Sequence, residues 1–276
     1  MASLDQFFSP NTLVACHDAG AAQMILDNTT DAVLKLCTFR LRGPAKNIFS
    51  GYDADAISAS LLPSKITKVI CGTGWQDSLE FEIMKEASRL NIPSLAVVDR
   101  ATNLYFRFSR DGETVKPTTV VIPQYEMPKL PADFDTRNLL SFVDDGWQRQ
   151  IDTIKQNNSQ QMELDSLFIG QPLVDEDSHA DFNIQYQFLR DWLASRADVS
   201  AHGFRPHPSD KTKLPGDLIN KVKISDRNLS ASEDIARARE IIGIDSFLLE
   251  ISALAGKRTF RCFRVDEQLF IEKQEP

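Results

Sequence analysis

Short apolar runs alternate with stretches of helical spacing along most of the chain. Residues 12–16, 32–39, 69–71, 94–98, 118–122 and 139–143 are compact, largely apolar runs bounded by Gly, Pro, Asp or Asn, and each predicts a buried strand. Between them, a helical stretch runs through Leu26, and residues 78–90 place Leu79, Ile83, Ala87 and Leu90 on one helix face. Residues 148–165 are polar, and we read them as a helix fraying into a linker. The alternation then resumes. Strands are expected at 166–169, 199–204, 240–243 and 259–263, with one more at 269–272. Helices are expected at 181–196 (Phe182, Tyr186, Leu189 and Leu193 on one side), at 232–239 with Ser230 or Ser232 as N-cap, and at 247–255. Strands alternating with helices predict parallel sheets with right-handed crossovers. No internal sequence repeat is visible. The expected fold is α/β: two Rossmann-like parallel-sheet domains, residues 1–160 and 161–276, facing a central cleft.

Charge and composition narrow the function classes. The 276 residues carry 31 Lys and Arg against 39 Asp and Glu, a net charge of −8. That argues against a nucleic-acid groove, which needs clustered cations. Residues 257–264 are locally basic. They fit an edge strand with charged outward residues, or contact with nucleotide phosphates or with an anionic membrane surface. No apolar run approaches transmembrane length, and residues 1–10 lack the pattern of a signal peptide. The four cysteines have no metal-type spacing, so a reduced cytoplasmic setting is expected. No paired-carboxylate metal motif stands out, and neither a metal nor a resident cofactor is expected.

Ligands of open parallel sheets bind beyond the carboxyl ends of the strands, and several polar residues fall there. His17, Asp18 and Gly20 open the first helix, where Asp18 caps the helix, lines a sugar or acceptor site, or does both. Gly72 and Thr73 begin a strand-to-helix turn that lacks the Walker ending. Trp75 in that turn either stacks on a sugar or staples the helix. Asp99 closes the fourth strand. Asp144-Asp145-Gly146 supplies either a surface turn or one carboxylate able to take a proton from a hydroxyl. Gln171 ends a strand in the second half. The segment Gly203-Phe-Arg-Pro-His-Pro-Ser-Asp210 sets Arg205, His207 and Ser209 among two prolines, and so predicts a stiff, extended loop with cationic donors. His207 either donates to a leaving phosphate or is a structural histidine of the proline-rich loop, and Arg205 suits the same phosphate. Ser246 stands at a helix start and can serve a phosphate or act as a plain cap, with Glu250 one turn on, able to accept from ribose hydroxyls.

Asp144-Asp145-Gly146, His207-Pro208 and Ser246, in that order, resemble the motifs of bacterial GT-B-fold glycosyltransferases, most closely the sialyltransferase and capsule polysialyltransferase branches. Gln171-Pro172-Leu173 is similar to a segment of lipooligosaccharide sialyltransferases, and residues 72–108 resemble proteins of sugar-capsule gene clusters. The resemblance implies metal-independent transfer of a sugar, sialic acid or a related capsule sugar, from a nucleotide-sugar to a glycan acceptor in polysaccharide biosynthesis. It makes Asp144 or Asp145 the base, has His207 help the nucleotide leave, sets Ser246 on its phosphate, and gives a CMP-sugar as the first donor to consider. The other readings are a nucleotide-sugar hydrolase or epimerase, in which His17 and Asp18 activate water, and a non-catalytic nucleotide-sugar-binding protein.

Overall fold

The computed structural model describes residues 4–53, 62–74, 77–158, 162–171, 173–174, 180–181, 183–196, 201–207, 210, 212–226, 228–265 and 268–274. The chain divides into two compact units, Met1–Gly146 and Trp147–Pro276. Among the described residues no helix is long and apolar enough to cross a membrane.

The first unit is a six-stranded parallel sheet. Its strands are β1 (Thr12–Cys16), β2 (Thr38–Leu41), β3 (Lys68–Cys71), β4 (Ser94–Val97), β5 (Thr119–Pro123) and β6 (Leu139–Phe142). They lie in the order β2-β1-β3-β4-β5-β6. Every residue of β1 is buried, as expected of a parallel strand covered on both faces. Its side chains alternate between two cores: Leu13 and Ala15 join the one that holds Cys71 and Ala96, and Val14 and Cys16 join the one that holds Ile70 and Val97. Helices α1 (Ala19–Asp27), α2 (Asp31–Leu34), α3 (Ala45–Ile48), α4 (Leu79–Arg89) and α5 (Leu104–Arg107) connect the strands. The strand expected at 32–39 is instead α2 followed by β2. The Thr30 carbonyl accepts from the amides of Val33 and Leu34, and only Leu34 of that helix is buried, so a one-turn helix uses the short apolar run.

The second unit opens with α6 (Asp145–Asn157), whose first two residues lie before the division. The division falls after Gly146, not in the polar run near 160. Ile151 and Ile154, three positions apart in a mostly polar stretch, are buried in the second unit's core, and they draw this helix into that unit. The sheet holds β7 (Leu164–Ile169), β8 (His202–Arg205), β9 (Lys223–Ile224), β10 (Ala238–Gly243), β11 (Arg258–Val265) and β12 (Gln268–Lys273), in the order β9-β8-β7-β10-β11-β12. All pairs are parallel except β11–β12, a hairpin. Helix α7 (Asn183–Ala194) packs Tyr186, Leu189 and Trp192 into a core with Phe168, Phe204 and Ile242. Helices α8 (Ala231–Ala236) and α9 (Phe247–Leu254) complete the unit. Ser230 caps α8 in a reciprocal capping box with Glu233.

The basic run is not an edge strand, because β11 lies between β10 and β12. Arg258 pairs with Glu240 at 3.0 Å, Arg261 with Asp245 at 3.3 Å, and Arg264 with Asp191. Lys257 donates to the carbonyls of Ala236 and Ala238.

Strand order fixes where each unit is open to a ligand. In the first sheet, β2 and β3 lie on opposite sides of β1, so the crossover direction reverses between β1 and β3. In the second, it reverses between β7 and β10. Crevices at the carboxyl ends of such strand pairs are the ligand sites of open α/β sheets.

Candidate functional site

At the first reversal, the residues after β1, β3 and β4 come together. Asp18 is the N-cap of α1, and its Oδ1 accepts from the Gly20 amide at 2.7 Å. Glu80, in the first turn of α4, is 1% exposed. Its Oε1 accepts from the His17 amide at 2.5 Å, and the Asp18 amide also bonds to this carboxylate. Arg107, the last residue of α5, donates to Asp99 at 2.8 Å and to the Thr73 hydroxyl at 3.0 Å. The Arg107 and Asp99 side chains are only 9% and 19% exposed.

This cluster is left electrically and sterically unfinished. Among the described residues, three buried polar atoms here find no hydrogen-bond partner: His17 Nδ1, Asp18 Oδ2 and Glu80 Oε2. Burial, reinforced by the charge of Asp99 and opposed by Arg107, pushes the Asp18 carboxyl up to about 7. Burial also raises Glu80 to about 7, against the lowering effect of the amides it accepts from. Two glycines make room. A Cβ on Gly20 would stand 2.1 Å from Asp99 Oδ2. Gly43, at φ +48°, would bring one within 2.5 Å of His17 Nε2. Buried polar atoms are normally satisfied, and buried carboxyls with shifted pKa values collect at sites of chemistry. The arrangement can hold and release protons near neutral pH. Among the described residues no group of three or more His, Cys, Asp or Glu side chains is placed to hold a metal ion.

Asp144 and Asp145 stand elsewhere in this unit. Asp144 is buried and accepts from Asn28 Nδ2 at 2.9 Å and from the Tyr125 hydroxyl at 3.2 Å. The Asp145 amide donates to Asn28 Oδ1 at 2.9 Å. Asp-Asp-Gly is therefore a helix start clamped by Asn28, not a surface turn, and the carboxylate facing inward is occupied by structural partners.

At the second reversal, register aligns the candidates. Arg205, Ile169 and Gly243 share one row across β8, β7 and β10. His207 and Gln171 each lie two residues beyond that row, and Ser246 lies three beyond it, so all three sit at one edge. Gln171 ties the edge together: its amide donates to Gln185 Oε1 at 2.8 Å, and its side-chain oxygen accepts from the Asp245 amide at 3.0 Å. Ser246 is the N-cap of α9 and accepts from the Leu248 amide at 3.3 Å. Glu250 follows one turn on, half-buried. Burial lowers the pKa of His207, against the raising effect of Asp210, so its imidazole is neutral at pH 7. Arg205 points away from the phosphate role expected of it. Its guanidinium pairs with Asp234 at 3.0 Å and donates to the Leu229 carbonyl at 3.1 Å, because α8 presents a buried carboxylate on that side. Trp75 and Ser209 lie outside the described residues.

Sequence reasoning missed Glu80, Arg107, Gln185 and Asp210. Gln185 is fully buried and bridges Gln171 to Asp210, whose carboxylate also accepts from Tyr186 and Thr212. Asp210 closes the proline-rich segment and could have been weighed there. Glu80 carries no local signal, since it sits beside a helix's apolar stripe like any surface glutamate.

No family model matches this chain, and no curated protein matches it either. Solved structures do resemble it. UDP-GlcNAc 2-epimerase from Neisseria meningitidis, bound to UDP-GlcNAc, is 14% identical with a TM-score of 0.54, over 93% of this chain and 84% of that one. The glycotransferase of kitacinnamycin is 10% identical with a TM-score of 0.50, over 94% and 82%. At such identities the likeness is one of fold: two Rossmann-like parallel-sheet units of the GT-B type.

Proposed function

We propose that this chain is a nucleotide-sugar-dependent enzyme that transfers a glycosyl unit to a glycan acceptor. The second unit holds the nucleotide at its β7–β10 edge. There the α9 amides and the neutral His207 imidazole serve as hydrogen-bond donors to the departing phosphate. The first unit handles the proton. Asp18 takes it from the acceptor hydroxyl, whose oxygen forms a bond to the anomeric carbon as the bond to phosphate breaks. The electron pair leaves with the nucleotide, and Asp18 returns its proton to water. We give the base role to Asp18 in place of Asp144, because Asp144 is held by Asn28 and Tyr125. The observation that carries the reading is that His17, Asp18 and Glu80 bring three buried polar atoms to a strand-order reversal, none of them partnered among the described residues. The choice of a CMP-sugar as first donor rests on motif resemblance alone.

Epimerisation of a nucleotide-sugar is the second reading. It is favoured by two neighbouring carboxyls, Asp18 and Glu80, both near 7, one able to remove a proton and the other to return it. Incubation with CMP-, UDP- and GDP-sugars, with and without glycan acceptors, separates the cases. Nucleotide release that needs acceptor supports transfer. Release in water alone means hydrolysis, isomerised sugar without release means epimerisation, and binding without turnover ends both catalytic readings.

A further inference from the structure

The β11–β12 hairpin outruns the sheet it belongs to. The last row joining β10 to β11 is Gly243–Arg261, yet β11 continues to Val265. Four residues at about 3.3 Å each carry the hairpin roughly 13 Å past the carboxyl edge, beside Asp245 and Ser246. Its two faces differ. Even-numbered side chains face α7: Phe260 packs on Trp192, and Arg264 pairs with Asp191. Odd-numbered side chains of β11 face the α9 side, where Arg261 donates to the Ile244 carbonyl at 3.1 Å. On that side Phe263 is cross-strand partner to Phe270. Their rings stack at 5.6 Å with 14° between planes. Phe270 is 42% and Val265 is 49% exposed.

We infer that the Phe263–Phe270 pair is a stacking platform for the nucleobase of a nucleotide whose phosphate sits at the start of α9. The inference rests on the reading that the second unit binds the nucleotide. Placement argues for a base over other occupants. Phe263 lies two residues past the Gly243–Arg261 row, on the strand about 5 Å from β10, whose end at Gly243 is followed three residues later by Ser246. Arg261, 43% exposed and paired with Asp245, is two residues before Phe263 on the same face of β11. It offers further guanidinium donors toward a base edge or ribose. Flat aromatic pairs accept any base by its π-face, while hydrogen bonds at the edge select among bases.

The test compares CMP, UMP, AMP and ribose 5-phosphate by calorimetric titration of wild type, Phe270→Ala and Ser246→Ala. Phe270 is exposed, so its truncation leaves the fold intact, as a thermal melt checks. The expected result is that Phe270→Ala weakens the best nucleotide roughly tenfold or more, the scale of one lost base–aromatic stack. Ribose 5-phosphate should bind both proteins alike, and Ser246→Ala should weaken both ligand types. Equal nucleotide affinity in wild type and Phe270→Ala overturns the platform and leaves the phosphate site standing. No binding of any nucleotide to wild type overturns both. A change in oligomeric state, or loss of binding to anionic vesicles, in Phe270→Ala without loss of nucleotide affinity reassigns the patch to a second copy or a membrane.

Discussion

The two strand-order reversals are built from opposite materials. At β1–β3 three carboxyls crowd together with one arginine paired to Asp99, and buried atoms of His17, Asp18 and Glu80 stay unpartnered among the described residues. At β7–β10 the buried carboxylate is fully engaged, with Gln185, Tyr186 and Thr212 all donating to Asp210, and a neutral imidazole and a helix start lie at the same sheet edge. The first arrangement stores unfavourable electrostatics, which proton transfer can use. The second is satisfied and donor-rich, and it suits an anion. One Rossmann-like scaffold, used twice, thus presents two different edges, because the few side chains at the strand ends differ.

A matched pair of substitutions tests that division most severely. Asp18→Asn keeps the helix cap, since Asn is as good an N-cap as Asp, but it cannot accept a proton. Turnover should fall by about 10²- to 10⁴-fold, the range for a lost general base, with nucleotide affinity unchanged by calorimetry. His207→Ala should also lower turnover, by about 10²-fold. It should do so in the release step, so that a donor with a better leaving group recovers part of the loss. If Asp18→Asn abolishes nucleotide binding, or if the better leaving group rescues it as well as it rescues His207→Ala, the two edges do not divide the work.

Much of the scaffold was legible in the sequence because parallel strands covered on both faces are continuous apolar runs: Thr12–Cys16 and Ser94–Val97 are fully buried. The run at 32–39 misled because a short apolar stretch has no period to distinguish a strand from one helical turn. The extent of α6 was hard to read because its apolar stripe is three residues, Trp147, Ile151 and Ile154, in an otherwise polar stretch. Of the site, Asp18, Gly20 and Ser246 were legible as cap and turn chemistry. Glu80 and Gln185 were not, because a buried polar side chain is defined by what surrounds it in space, and nothing adjacent in the chain announces it. The ion pair of Arg205 is hidden for the same reason: its partner, Asp234, lies 29 residues away on α8.

Stability against pH sharpens the contrast next. Glu80 has a folded pKa of about 7 against an ordinary value of 4.5. Between those values the folded protein holds a proton that the unfolded chain releases. Stability from this group therefore falls as pH rises through the window, and the loss is complete above about pH 7. Glu80→Gln removes the ionisable group and still accepts from the His17 amide. It should be more stable than wild type by about 1–3 kcal/mol at pH 8. The gain should shrink toward pH 5, as read from denaturant melts at the two pH values. A pH-independent effect would mean that Glu80 is not strained by its charge.

The smallest effect has the most informative sign. Gly20 lies inside α1, where alanine is ordinarily favoured by about 1 kcal/mol. A Cβ there would meet Asp99 Oδ2 at 2.1 Å, and Asp99 cannot move freely because Arg107 holds it at 2.8 Å. Overpacking against a fixed group costs about 1–3 kcal/mol, so Gly20→Ala should be destabilising by about 1 kcal/mol net, measured by urea denaturation. In an Asp99→Ala background the obstacle is gone, and the same substitution should stabilise by about the helix-propensity difference. That change of sign would show that the glycine is kept for the carboxylate beside it. If Gly20→Ala is stabilising in both backgrounds, Asp99 is free to turn aside and the crowding at β1–β3 is looser than the distances imply.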